Sequence, residues 1–287
     1  MTEVVTPAET THPRPGDQEL IPLRPGTTAG ASSFTLTPAL ARVDGALYGG
    51  TGVAASVLAM EAATQRDALW VVTQFIAPAH VGDVIELQTT ELALGGRIAQ
   101  LDVRAHVGDR LTFCALGSTA HPRPGGLTGQ YVPMPAVSPP DDSAPMPFGP
   151  ADEDWVGEGR RLEYRRAAPL GEAPPSGTLR LWARLRGIEE LTPAGVAYLA
   201  DMVPPALAHA VGRMGGGFSL DNSLRFGALP PTEWLLLDLQ GELAAAGYGH
   251  GRFTAWTPDG ALVATGSQTA SMVHLFAPDE AGGRQGG

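Results

Sequence analysis

One carboxylate stands inside an apolar run. The stretch LADMVPPALAHAVGRM, residues 199–214, carries Asp201 among Leu, Ala, Met and Val, and two consecutive prolines, Pro204 and Pro205, follow it. Burying a carboxylate is unfavourable unless hydrogen bonds compensate. An Asp in such a place can take a proton from a water molecule and act as a general base. The prolines remove backbone donors, so they interrupt the helical ladder just after Asp201. That interruption leaves backbone room for a water or a carbonyl group. The competing structural reading is that Asp201 faces solvent or caps the segment after the break. A second candidate is the pair Gly49 and Gly50 in YGGTGVAASVLAMEAAT, residues 48–64. The first N–H groups of a helix lack intrahelical partners and can donate to an oxygen that develops negative charge. The same glycines also suit a tight turn into the helix.

Other chemistries lack their residue patterns. His12, His80, His106, His121, His209, His250 and His274 form no H-x-x-x-H or H-E-x-x-H spacing, so no metal site is expected. The single cysteine, Cys114, excludes an intrachain disulfide and a cysteine-based metal site. Within LTFCALGS it reads as a buried strand residue. There is no G-x-S-x-G elbow for a serine hydrolase. The segment GRMGGGFS has no Lys-Ser/Thr and follows a helix rather than opening one, so it reads as a flexible loop. No cofactor is expected.

The elements that must position these residues occur twice. The chain has 287 residues, 43% hydrophobic and 17% charged, enough for one large domain or two of ordinary size with a real core. In the first half, a helix over residues 50–64 precedes four β-rich runs: ALWVVTQFIAP, DVIELQTTELALGG, RIAQLDVRAHVG and RLTFCALGSTA. In the second, a helix starts at Thr192 as N-cap with Pro193 in its first turn. FSLDNSLRFGAL, EWLLLDLQGELAAAGY, GHGRFTAWTPDG and ALVATGSQTASMVHL follow. Corresponding residues such as Phe75 and Phe226 repeat at a spacing of roughly 150, which fits an internal duplication. Each helix has few charges because a sheet must wrap it. The expected organisation is an N-terminal tail over residues 1–32, a first unit over 33–121 and a Pro-rich linker over 122–177. A second unit over 178–276 and a C-terminal tail over 277–287 complete it.

A formal net charge of −11 with no basic stripe makes the chain a poor ligand for nucleic acid or anionic membranes. No apolar run reaches the roughly 20 residues needed to span a bilayer. The N-terminus shows no charged-then-apolar leader, so a cytoplasmic location is expected.

Three motifs, in order, resemble the acyl-CoA thioesterase II family: YLADMVPPAL, FSLDNSLRF and VATGSQTASMVH. YGGTGVAASVLAMEAAT is similar to the glycine-rich entrance to that family's first helix. The resemblance covers about residues 33–121 and 178–275. It implies an α+β double hotdog fold, two antiparallel sheets each wrapping a long central helix. It further implies hydrolysis of acyl-CoA to free acid and CoA, with Asp201 as base and Ser219 and Gln268 orienting the same water. By themselves, Ser219 reads as a strand hydroxyl bonded to backbone and Gln268 as a surface strand residue. Where the family commonly has Thr and often His, this chain has Ser219 and Asn222. Asp221 and Asn222 are assigned to the strand turn, outside the site. Gly49 and Gly50 are expected near the thioester oxygen, with Met60, Trp70, Leu199 and Met202 along the acyl chain. Open sheet edges favour a homo-oligomer. The alternative function is a non-catalytic acyl-thioester or lipid-binding hotdog protein. A hydratase ranks last, because no His accompanies Asp201 before His209.

Overall fold

The computed structural model describes residues 12–14, 16–146 and 161–276. In chain order, the first half holds α1 (Asp17–Leu20), β1 (Arg24–Pro25), β2 (Ala31–Thr35), α2 (Gly49–Thr64), β3 (Asp67–Phe75), β4 (Val84–Leu94), β5 (Ile98–Val107) and β6 (Arg110–Ala120). The second half holds β7 (Ala144–Pro145), β8 (Leu162–Arg166), β9 (Thr178–Leu185), α3 (Pro193–Leu199), α4 (Val203–Ala210), β10 (Met214–Phe226), β11 (Leu235–Ala245), β12 (Tyr248–Trp256) and β13 (Leu262–Phe276).

The strands form a single sheet rather than the two expected, in the order β1-β2-β4-β5-β6-β3-β10-β13-β12-β11-β9-β8-β7. Its two halves repeat one plan: β2-β4-β5-β6-β3 mirrors β9-β11-β12-β13-β10. They join where β3 and β10 pair antiparallel, from Asp221 opposite Gln74 to Arg225 opposite Trp70. The physical reason is the edge: each half ends on a strand with unpaired N–H and C=O groups, and the other half satisfies them.

Helix α2 lies against this sheet and is buried from residue 49 to residue 61 without a polar face. The second helix departs from expectation. Instead of one long helix there are two, α3 and α4, separated at residues 200–202. Thr192 caps α3 as its type predicts, its Oγ1 accepting from Gly195 N–H at 3.2 Å. Pro204 and Pro205 sit in the first turn of α4, where backbone donors lack partners anyway. They therefore open a helix, and the interruption comes just before them.

GRMGGGFS is also not the loop its glycines suggested. Residues 214–217 form the start of β10; residues 214–216 pair with the end of β13, and Gly217 lies at a register shift before Phe218. A Cβ at Gly217 would collide with the Ser271 carbonyl, so glycine is what lets the strands approach. Cys114 lies on β6 but is only partly buried. Leu20 and Ile21, in the segment expected as a tail, are buried in the core. Part of the Pro-rich stretch covers the outer face of the second half: Val137 packs with Trp182, Trp234, Leu236 and Trp256, and Trp182 Nε1 donates to Ser138 O at 2.7 Å. Among the described residues, no helix is long and apolar enough to cross a membrane.

Candidate active site

The gap between α3 and α4 delivers Asp201 to the start of the other half's helix. Asp201 is 6% exposed. Its Oδ2 accepts from Gly50 N–H at 2.9 Å, so a carboxylate of the second half caps α2 of the first. That end of a helix carries partial positive charge and stabilises an anion. The glycine before it is sterically required: a Cβ on Gly49 would run into Asp201 Oδ2 and lie 3.0 Å from Ser219 Oγ.

Three further donors converge on Asp201 Oδ1. Ser219 Oγ donates at 3.2 Å and Asn222 Nδ2 at 3.1 Å, and Gln268 Nε2 makes a very short contact. Gln268 Nε2 also donates to Ser219 Oγ at 2.8 Å, while its Oε1 accepts from Val203 N–H at 3.2 Å. One amide thus ties together Asp201, Ser219 and the first residue of α4.

Strand alternation would place Ser219 and Asn222, three residues apart, on opposite faces. A bulge prevents this. Ser219 faces Ala270 and Asp221 faces Thr269, so Leu220 is an extra residue in β10. After it, Asn222 returns to the face of Ser219 and stands directly opposite Gln268. Asn222, assigned to the turn from its sequence context, therefore belongs to the site. Asp221 does not: its Oδ1 accepts from Thr269 N–H at 2.8 Å.

The site opens on a cavity of about 790 Å³ whose wall includes Leu47, Tyr48, Phe75, Tyr164 and Phe218. Of the predicted residues, Gly49, Asp201, Met202 and Ser219 line it. Gln268 is fully buried behind them. Gly50 spends its N–H on Asp201. Met60, Trp70 and Leu199 are not in the wall. Met60 lies three turns along α2, about 16 Å from its start at 1.5 Å per residue, against Gly117. Leu199 is packed inside the core, and Trp70 lies under the Arg225 guanidinium, 5.6 Å from its ring centroid.

Burial pushes the Asp201 carboxyl above the ordinary Asp range, while the hydrogen bonds from Asn222, Ser219, Gly50 and Gln268 oppose that rise. The result is a carboxylate that is more basic than usual and held in place by four donors. Elsewhere, His12, Glu61 and Asp67 bring ligand-type atoms within 4.8 Å of one another. Arg14 reaches into the same cluster, 2.6 Å from Asp67 and 3.4 Å from Glu61, and supplies the positive charge a cation would bring.

Residues 140–272 match the family model described as the acyl-CoA thioesterase C-terminal domain. No curated protein matches the chain. Among solved structures, a candidate thioesterase from Novosphingobium aromaticivorans is 30% identical, with a TM-score of 0.80 over 88% of this chain and 98% of that one. A hot-dog-fold protein of unknown function from Alicyclobacillus acidocaldarius is 18% identical, with a TM-score of 0.75 over 92% and 99% of the two chains. The acyl-CoA thioesterase II TesB2 from Mycobacterium marinum is 17% identical, with a TM-score of 0.70 over 92% and 99%. The last two likenesses are of fold, and the fold is a hotdog.

Proposed function

The chain belongs to the acyl-CoA thioesterase II family, and from that premise we propose that it hydrolyses acyl-CoA to a free acid and CoA at Asp201. The observation that carries the proposal is the meeting of Ser219 and Gln268, from two adjacent strands, on a buried carboxylate at a cavity wall.

The two carboxylate oxygens have different duties. Oδ1 is occupied by three side-chain donors, whereas Oδ2 accepts only the Gly50 N–H among the described residues. A carboxylate oxygen has two acceptor sites, so Oδ2 retains one for a water. The space that a Gly49 side chain would fill lies beside both Oδ2 and Ser219 Oγ. In this reading a water sits there, held by those two oxygens. Oδ2 takes its proton as the water oxygen attacks the thioester carbon. The oxyanion that forms is met by the Gly49 N–H at the positive end of α2. Collapse breaks the C–S bond, and the departing sulfur receives the proton from Asp201. Gln268 does not face the cavity, so its part is to hold Asp201 and Ser219. The acyl chain runs along Leu47, Tyr48, Phe75 and Met202. The two repeats, residues 33–121 and 178–276, are read as the units of a double hotdog that assembles further into a homo-oligomer.

Thiol release from a panel of short, medium and long acyl-CoAs tests the activity. Asp201→Asn is expected to lower kcat by about 10²–10⁴, the usual worth of general-base assistance. Because burial raises the Asp201 pKa, activity is lost with falling pH at a point above the ordinary Asp range. Tight acyl-CoA binding with no thiol release identifies a binding protein instead. Full activity in Asp201→Asn removes the mechanism.

A further inference from the structure

Two buried polar atoms beside the site have no hydrogen-bond partner among the described residues: Asn222 Oδ1 and Thr73 Oγ1. Both residues are fully buried. They come from different halves of the chain, yet they stand directly opposite each other where β10 pairs with β3. Opposed residues of an antiparallel pair project to the same face with Cβ atoms about 4.5–5.5 Å apart. One atom is an acceptor and the other carries a donor proton.

The amide of Asn222 has a fixed sense. Its Nδ2 donates to Asp201 Oδ1 at 3.1 Å; turned over, it would set oxygen against oxygen. Its Oδ1 is then left in need of a donor, and an unmatched buried acceptor is destabilising. The Thr73 hydroxyl is the opposing group with a proton to give. A turn of the Thr73 side chain about χ1, or one buried water between the two, satisfies both atoms.

We infer that Asn222 is a positioning residue for Asp201, and that Thr73, from the other half of the chain, holds the Asn222 amide in its working orientation. The inference deepens the hydrolase reading and rests on it for what Asp201 does. Hydrogen bonds in such a chain polarise one another, so a hydroxyl that touches neither substrate nor Asp201 still acts on the carboxylate. The join between the two halves of the sheet thereby becomes part of the site.

The test compares Asn222→Leu, Thr73→Val and Thr73→Ser in the full chain. Two readouts are taken on each: the Asp201 titration by carboxyl ¹³C NMR, assigned with Asp201→Asn, and the pH profile of kcat/KM on acyl-CoA. Asn222→Leu removes a donor to the charged form, so the titration and the acidic limb move up together by roughly one pH unit. Its kcat falls about ten- to a hundredfold, with a smaller change in KM. Thr73→Val moves both readouts in the same direction, with kcat down about threefold, the scale of a neutral hydrogen bond. Thr73→Ser keeps the hydroxyl and restores the wild-type profile. Folded Asn222→Leu and Thr73→Val proteins that titrate within about 0.2 pH unit of wild type overturn the inference, since a lost charge-assisted bond exceeds that. So does a Thr73→Ser that behaves like Thr73→Val. If Asn222→Leu does not fold, the Thr73 pair decides. If the wild type hydrolyses no acyl-CoA, the hydrolase reading fails and the NMR titration still decides the positioning.

Discussion

The two repeats have the same strand order and different helices. In the first, α2 runs unbroken for sixteen residues, and its N-terminus has no cap of its own: Tyr48 at the N-cap makes no side-chain bond to it. In the second, α3 is capped by its own Thr192 and then stops, and α4 begins after a three-residue gap. The gap holds Asp201, and Asp201 supplies the cap that α2 lacks. The site therefore sits where the second repeat departs from the first. An Asp in an unbroken apolar helix would have its backbone locked in register with its neighbours. Released from that register, its side chain reaches the helix of the other half.

The comparison can be broken most directly at Gly49. Gly49→Ala places a methyl group against Asp201 and Ser219 Oγ. It is expected to destabilise the fold by about 1–3 kcal/mol and to cut acyl-CoA hydrolysis severely, by thermal melts and thiol release. The matching change at the other helix, Thr192→Ala, removes a self-cap. It is expected to lower stability by about 1 kcal/mol while hydrolysis is retained. If both variants lose activity alike, the two helix starts are not functionally different.

The smallest effect is expected at the far end of α2, where the first repeat is tied to the N-terminal segment through His12. His12 lies 3.4 Å from Glu61 of α2 and 3.3 Å from Asp67 of β3. Burial alone would lower the His12 pKa, but the adjacent carboxylates of Asp67 and Glu61 outweigh it and raise it to about 9 from 6.5. A histidine whose folded pKa is raised stabilises fully below its unfolded value and loses that contribution as pH climbs toward the folded one. Urea midpoints should therefore fall between pH 6.5 and 9 in the wild type and change less in His12→Gln. Equal pH dependence in both proteins would show that the His12 tie carries none of it.

The elements were legible from local residue types. Thr192 and Pro193 announced α3, the small apolar residues after Gly49 announced α2, and β-branched runs announced the strands. Asp201 was conspicuous as a charge among apolar neighbours, and the family's motifs pointed to Ser219 and Gln268. Asn222 was assigned to the strand turn; in a regular strand alternation would keep it off the face of Ser219, and the bulge at Leu220 that reunites them depends on pairing with β13. Trp70, Met60 and Leu199 looked like pocket residues because they are large and apolar. Core and pocket share that character, and only packing separates them.

By itself, then, the amino-acid order determined most of the helix and strand segments, that the second helix would be broken close to Asp201, and which carboxylate would be difficult to bury. Those properties follow from propensity, capping and periodicity, which act over a few residues. The tertiary structure alone decided that the two halves share one sheet, that Asp201 caps a helix some 150 residues earlier, and that Thr73 faces Asn222. Each of these is set by how distant edges and faces fit together, and no local pattern encodes that register.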